Sequence, residues 1–372
     1  MPLPSNVIWC KLKDIQFKNI FCKNDKTLVV ISQSLLKGFK SLGKGFPKEY
    51  DIISLSASHP TLDDVKRIPL PKDATQVIAI GGGSIIDISK LLFLKILSEE
   101  SYSFDELISS SLSLVITEER RKQCKLIFIP SIFGSSAEFT QWATFWDKKN
   151  KKKISLQNKR LISDTVYIIP ELSQTAPVES MIVSGFDALS HAFDSLWNSK
   201  RTEESQKNAL KAIELYIQLL PQLTKTQLSP LLREELAQAS IYSAHAFSRT
   251  ESAGAHALSY PLTLFKGIPH GIATSLTLGE LFQYVESTPA QYIGEVRKLF
   301  MKRTVRGRGE EFSQLYRRFL EECNIKAHLR HYGVKKEELE LFINTAHKQD
   351  RLKNMRPVLN KKKIRAIYEN IY

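Results

Sequence analysis

The chain has no Cys-x-x-Cys pair. Its four cysteines, Cys10, Cys22, Cys124 and Cys323, are scattered, which excludes a zinc ribbon or a dithiol redox motif and suits free thiols in a reducing compartment. No apolar run approaches the ~20 residues that span a bilayer, so no membrane association is expected. The opening MPLPSNVIWCKLKD lacks the apolar core of a secretory signal, and a cytoplasmic location is expected. Neither G-x-G-x-x-G nor a Walker pattern is present. Acidic residues are in deficit: 39 Asp+Glu stand against 53 Lys+Arg, a formal net charge of +14. Such an excess admits nucleic acid, a membrane surface or an anionic small molecule as partner. The basic residues are spread out, dense only at KKNKKK (148–153) and NKKK (360–363). Without an aromatic-interleaved basic patch these runs read as solvated faces, and no nucleic-acid partner is expected. A non-catalytic basic binding protein is the alternative, and steeply salt-dependent DNA binding is its test.

What is present points to a folded protein of two domains. At 372 residues, with 42% apolar and 25% charged residues, the chain exceeds a single core of usual size. KTLVVIS (26–32), TQVIAI (75–80), CKLIFIP (124–130) and TVYIIP (165–170) read as strands. SLLKGFKSLG (34–43) and SIIDISKLLFLKILSEE (84–100) between them read as helices. Strand alternating with helix implies a parallel sheet. After Pro170 helical periodicity dominates. The expected fold is an α/β Rossmann-like domain over 1–168 followed by an all-helical domain over 169–372.

Two loops follow predicted strands. In IAIGGGSIIDISK (78–90), Gly81, Gly82 and Gly83 permit close approach of a ligand. The following helix N-terminus favours an anion, with Ser84 as N-cap and phosphate donor. A dinucleotide pyrophosphate fits there, a plain strand-to-helix turn being the other reading. IPSIFGSSAEFT (129–140) offers small hydroxyl residues to the same cleft, since ligands bind at strand ends of parallel sheets.

Asp187 and His191, four apart in DALSHAFDSLWN, share one helix face among apolar neighbours. A buried carboxylate needs a partner. GAHALSYPLTLFKGIPHG adds His256, in a helical turn that Pro261 is expected to end, and His270. One carboxylate and three imidazoles suit Fe²⁺ or Zn²⁺. His59, His245, His328, His331 and His347 lack such company.

Together these stretches resemble the iron-containing (group III) alcohol dehydrogenase family over nearly the whole chain. GGGSIIDISK is similar to the family's GGGSxxDxxK, IPSIFGSSAEFT to its IPTTAGTGSEVT and FDALSHAFDSLWN to its MDALxHAxE helix. HALSYPLTLFKGIPHG is similar to its two-histidine segment with the same fourteen-residue gap. The resemblance implies the dehydroquinate synthase-like fold of that family: a dinucleotide-binding domain and a helical metal domain. It implies metal ligands at Asp187, His191, His256 and His270, and cofactor contacts at Gly82, Gly83, Ser84, Asp87, Ser131, Ile132, Ser135 and Lys153. It also implies a homodimer or larger assembly.

Three departures qualify it. Ser32 stands where many members carry an NAD-selecting Asp, so both NAD(H) and NADP(H) are admitted. His59 replaces an Asn near the adenosine. Tyr260 replaces a second His four residues beyond His256, and its hydroxyl is the candidate for a proton relay.

The implied activity is NAD(P)-linked reduction of an aldehyde, or oxidation of an alcohol, on a divalent ion. SLWN and SRTESAGAHALSYPLT are similar to the phosphonoacetaldehyde reductase branch, whose anionic substrate would need cations. Arg249 and Lys266 are the nearby candidates. Simple short-chain aldehydes of the lactaldehyde or butanal type remain open. A dehydroquinate synthase-like enzyme is the less favoured reading, because Asp187 with His191 replaces a glutamate-led ligand set.

Overall fold

The computed structural model describes residues 6–14, 26–41, 50–56, 62–71, 73–98, 102–147, 152–224, 228–288, 290–302 and 310–372. They form two compact units, Pro2–Ala176 and Pro177–Tyr372.

The first unit is built on a six-stranded sheet. Its strands are β1 (Asn6–Trp9), β2 (Thr27–Ser32), β3 (Asp51–Leu55), β4 (Gln76–Gly81), β5 (Lys125–Pro130) and β8 (Thr165–Ile168), ordered β1-β8-β5-β4-β2-β3 and all parallel. The central strands TLVVIS, QVIAIG and KLIFIP are buried on both faces, as uninterrupted apolar runs require in a parallel sheet. A hairpin of β6 (Trp142–Asp147) and β7 (Lys152–Gln157) lies outside the sheet. Helix α1 (Gln33–Ser41) follows β2, and α2 (Gly83–Leu97) follows β4.

This order creates a switch point. From β2 the chain crosses to β3 on one side, and from β4 it crosses to β5 on the other. The crevice between the carboxyl ends of β2 and β4 is where such sheets bind ligands. Pairing of Ile31 with Ile80 and of Gly81 with Pro130 aligns the ends of β2, β4 and β5.

Among the described residues the second unit is helical, apart from one bridge between Asn198 and Met355. Five of its helices concern the site: α3 (Val178–Leu196), α4 (Glu203–Leu223), α5 (Pro230–Thr250), α6 (Gly254–Lys266) and α7 (His270–Ser275). Helix α6 does not stop at Pro261. The proline removes one helical hydrogen bond, at a cost of ~3 kcal/mol, but Leu258 and Leu262 around it are fully buried. Tyr368 also donates to the neighbouring Leu258 carbonyl at 2.6 Å, fastening this turn to the C-terminal segment. Among the described residues no helix is long and apolar enough to cross a membrane.

Candidate cofactor crevice and metal centre

In the first unit the two loops meet. Ser131 donates its amide to the Gly81 carbonyl at 3.1 Å, tying the loop after β5 to the glycine turn. A Cβ added to Gly82 would touch Ile132 at 3.4 Å, and one added to Gly83 would lie 2.6 Å from Ser135 Oγ. Glycine at 83 thus lets the Ser135 side chain approach the turn closely. Ser32, Gly82, Gly83, Ser84, Ser131, Ile132 and Ser135 thus stand at adjoining strand ends. Ser84 is not the N-cap. Gly82 holds that position, with extended dihedrals, and no side chain caps the helix. The first turn of α2 keeps its anion-binding character without a competing capping oxygen.

Asp87 also has a structural contact. Its Oδ2 accepts the Thr144 amide at 3.1 Å, fastening β6 to α2. Lys90, three residues on, is fully buried. Its Nζ donates to the carbonyls of Ala137, Thr140 and Trp142 at 2.6, 2.8 and 2.7 Å. The loop that carries Ser131, Ile132 and Ser135 is therefore gathered around an ammonium from α2. Burial lowers the Lys90 pKa to about 8, against the opposing fields of Asp87 and Glu138. Burial raises Glu138 to about 7. Lys153 pairs with Trp146 in the hairpin, but its side chain, like His59, lies outside the described residues.

In the second unit Asp187, His256 and His270 converge, their ligand atoms within 4.8 Å of one another. Asp187 Oδ1 is 3.5 Å from His256 Nε2 and 3.9 Å from His270 Nε2. Asp187 Oδ1 and His256 Nε2 are buried and have no hydrogen-bond partner. Leaving such atoms unsatisfied costs ~1–3 kcal/mol each. Two ligands each ~2.1 Å from one ion at a tetrahedral angle stand roughly 3.4 Å apart, so the donor set fits a divalent cation. Burial alone would raise the pKa of Asp187, but the surrounding imidazoles, His191 foremost, hold it well below the usual carboxylate range. His270 is the open side, its side chain 25% exposed against 4% for His256.

His191 is the exception among the expected ligands. Its ring is sandwiched between Phe247 and His256, with centroids at 4.1 and 4.5 Å and only 6° between the two imidazole planes. Among the described residues the group whose ligand atoms all lie within 4.8 Å of one another is Asp187, His256 and His270, while His191 flanks it through this stack and through its field on Asp187.

Two residues that the sequence reading passed over hold the centre together. Asp194, fully buried, accepts the amides of Ala253, Ala255 and His256 at 2.7, 2.9 and 3.3 Å, and Trp197 Nε1 at 2.8 Å. It thereby fastens the start of α6 to the end of α3. Its Oδ2 lies 2.8 Å from His256 Nδ1. With that carboxylate as acceptor Nδ1 carries a proton, which leaves Nε2, the nitrogen facing Asp187, as the one available to a cation. Burial works against this charge, but His256 and the amides keep the Asp194 pKa below its ordinary value. Gly271 is the second. A Cβ there would sit 1.8 Å from the Val183 carbonyl oxygen, so only glycine lets α7 press onto the α3 backbone and bring His270 to Asp187.

Tyr260 lies one turn beyond His256, half-buried, and its hydroxyl accepts a hydrogen bond from Arg351. The two cations expected near the ligand segment are engaged elsewhere: Arg249 pairs with Glu204, and Lys266 with Glu338 at 2.6 Å.

Comparison with known proteins agrees with this architecture. The chain is 28% identical to 4-hydroxybutyrate dehydrogenase of Clostridium kluyveri over 74% of its own length and 72% of that protein. It is 28% identical to phosphonoacetaldehyde reductase of Streptomyces viridochromogenes over 58% of its own length, spanning about half (55%) of that relative. The crystal structure of sulfoacetaldehyde reductase from Bifidobacterium kashiwanohense in complex with NAD⁺ shares the fold, with a TM-score of 0.83 at 20% identity over 100% of this chain and 97% of that one. Residues 13–170 match the family model described as iron-containing alcohol dehydrogenase, and residues 181–372 match its C-terminal counterpart; the chain belongs to the iron-containing alcohol dehydrogenase family, oxidoreductases acting on CH–OH groups.

Proposed function

We propose that this protein is a metal-dependent, NAD(P)-linked reductase of short aldehydes carrying an acidic group, with phosphonoacetaldehyde, giving 2-hydroxyethylphosphonate, the first substrate to test. The observation that carries the metal reading is the pair of buried, unsatisfied atoms Asp187 Oδ1 and His256 Nε2, with His270 beside them. The substrate reading draws on the two relatives at 28% identity, both named for compounds with an acidic terminus.

Asp187, His256 and His270 would hold Fe²⁺ or Zn²⁺, with His191 joining after rotation of its ring out of the stack. When bound, the ion supplies Lewis-acid polarisation of the carbonyl and the nicotinamide supplies the hydride. The protein's own residues do the rest. Asp187 offsets the charge of the ion. Asp194 fixes the His256 tautomer. His270 leaves one side open to substrate. The first turn of α2, with Gly82, Gly83 and Ser84, binds the pyrophosphate. Ser131, Ile132 and Ser135, held by Lys90, line the adjoining wall. Ser32 at the end of β2 carries no charge to repel a 2′-phosphate, so NADPH is accepted as well as NADH. Tyr260, whose hydroxyl accepts from Arg351, is the candidate for the proton relay. The family's homodimer or larger assembly is part of this reading.

The test is reduction of phosphonoacetaldehyde, succinic semialdehyde and butanal by metal-loaded protein with NADH and with NADPH. Turnover lost on chelation and restored by Fe²⁺ or Zn²⁺ supports the proposal. Undiminished turnover in metal-stripped protein refutes it.

A further inference from the structure

The segment 350–356 is fastened to both ligand helices. Ser199 donates its amide to the Asn354 carbonyl at 2.6 Å, and Arg356 donates to the Trp197 carbonyl at 2.7 Å, binding the segment just beyond the end of α3. Asn354 Nδ2 donates to the Ser252 carbonyl at 2.9 Å, binding it to the approach to α6. The scaffold that sets Asp187 and His256 therefore also sets Arg351.

Arg351 is half-buried and donates through Nη1 to the Tyr260 hydroxyl, its guanidinium carbon 5.2 Å from the ring centroid. Tyr260 is four residues beyond His256 in α6. Residues so spaced share a helix face, with Cβ atoms about 5–6 Å apart. Among the described residues no carboxylate pairs with Arg351. The neighbouring Asp350 is taken by Lys353 at 2.6 Å. Five other arginines of this unit, Arg249, Arg297, Arg317, Arg318 and Arg365, each have a glutamate, whereas Arg201 and Arg356 donate to backbone carbonyls and Arg351 to the Tyr260 hydroxyl. A guanidinium presents five N–H donors in a planar fork matched to carboxylate, phosphonate or sulfonate oxygens. One is used on Tyr260, which leaves donors held beside Tyr260, one turn from His256, with no carboxylate on them among the described residues.

We infer that Arg351, oriented by Tyr260, is the anchor for the anionic terminus of the substrate, and so sets the enzyme's preference for acidic over neutral aldehydes. This rests on the reductase reading above and gives its substrate class a residue. Arg351 acts on binding and selectivity, not on the reacting carbonyl.

The test compares wild type with Arg351→Met and Arg351→Lys. The ratio of kcat/KM for succinic semialdehyde to that for butanal should fall on the order of 10- to 100-fold in Arg351→Met, as loss of a charge-assisted bidentate contact predicts. Most of the change should appear in KM for the acid. Arg351→Lys, which keeps the charge but not the fork, should recover part of the ratio. Calorimetric titration with 2-hydroxyethylphosphonate gives a readout independent of turnover: binding should weaken by a similar factor in Arg351→Met, with metal content as in wild type. An unchanged ratio, or unchanged titration, overturns the inference; so do equal losses on both aldehydes, which mark a structural role. If wild type reduces none of the aldehydes, the reductase reading falls, and the titration still decides whether Arg351 binds the anion.

Discussion

Asp194 Oδ2 and His256 Nδ1 stand 2.8 Å apart, fully buried, and this contact decides which imidazole nitrogen faces Asp187. Replacing the acid by its amide keeps the shape but lets an NH₂ group face Nδ1. In Asp194→Asn we expect metal affinity to fall roughly 10- to 100-fold, the usual loss on removing an outer-shell carboxylate. Titration with Zn²⁺ against a competing chelator measures it. Affinity equal to wild type would remove Asp194 from the centre.

Gly271 permits helix-on-helix approach that no side chain tolerates, since the obstructing atom is backbone, the Val183 carbonyl oxygen. Gly271→Ala is expected to lower stability by about 3 kcal/mol and to withdraw His270 from Asp187. Urea melts together with metal stoichiometry would read both effects. A wild-type midpoint with full metal content would contradict the packing described.

Gly83→Ala should act on the other function. Its new Cβ meets a movable atom, Ser135 Oγ, so the loop shifts and the fold survives. We expect KM for the nicotinamide cofactor to rise on the order of 10-fold, with metal content unaffected. Loss of metal instead of cofactor affinity would show that the assignment of functions to the two units is wrong.

How far was this legible in the sequence? The glycine turn and the His-Asp helix were, because strand–Gly–helix and i, i+4 spacing are local signals. Asp194 completes the pattern at i, i+4, i+7 from Asp187 and was within reach of the same argument. The meeting of His256 with Asp194 and the engagement of Arg249 and Lys266 with glutamates were not. Those depend on pairing across 45 or more residues, to which periodicity is blind. Edge strands β1 and β3 are short and largely exposed, so they lack the apolar run that announced β2, β4 and β5. Pro261 reads as a stop from local propensity, and tertiary burial of Leu258 and Leu262 overrides it. His191 shares a helix face with Asp187 as the spacing promised, but the ring it stacks on comes from α6.

The Glu138 carboxyl should leave a mark on stability against pH. Burial raises its folded pKa to about 7 from the ordinary 4.5, so the folded protein binds the proton more tightly than the unfolded chain does. The stabilisation is complete below the unfolded value and is lost as pH rises through about 7. Relative to Glu138→Gln, wild type should therefore lose stability between about pH 5 and pH 7. Urea midpoints of both proteins across that range provide the measurement, and a flat or rising difference would contradict the assignment.

The central claim is a cation held by Asp187, His256 and His270. It is tested most directly by anomalous-difference maps collected above the iron and zinc edges from crystals of metal-replete protein. The account predicts one strong peak bonded to Asp187 Oδ1, His256 Nε2 and His270 Nε2, with the His191 ring turned toward it. A replete protein with no density among those three atoms, or with its metal bound elsewhere, would contradict it.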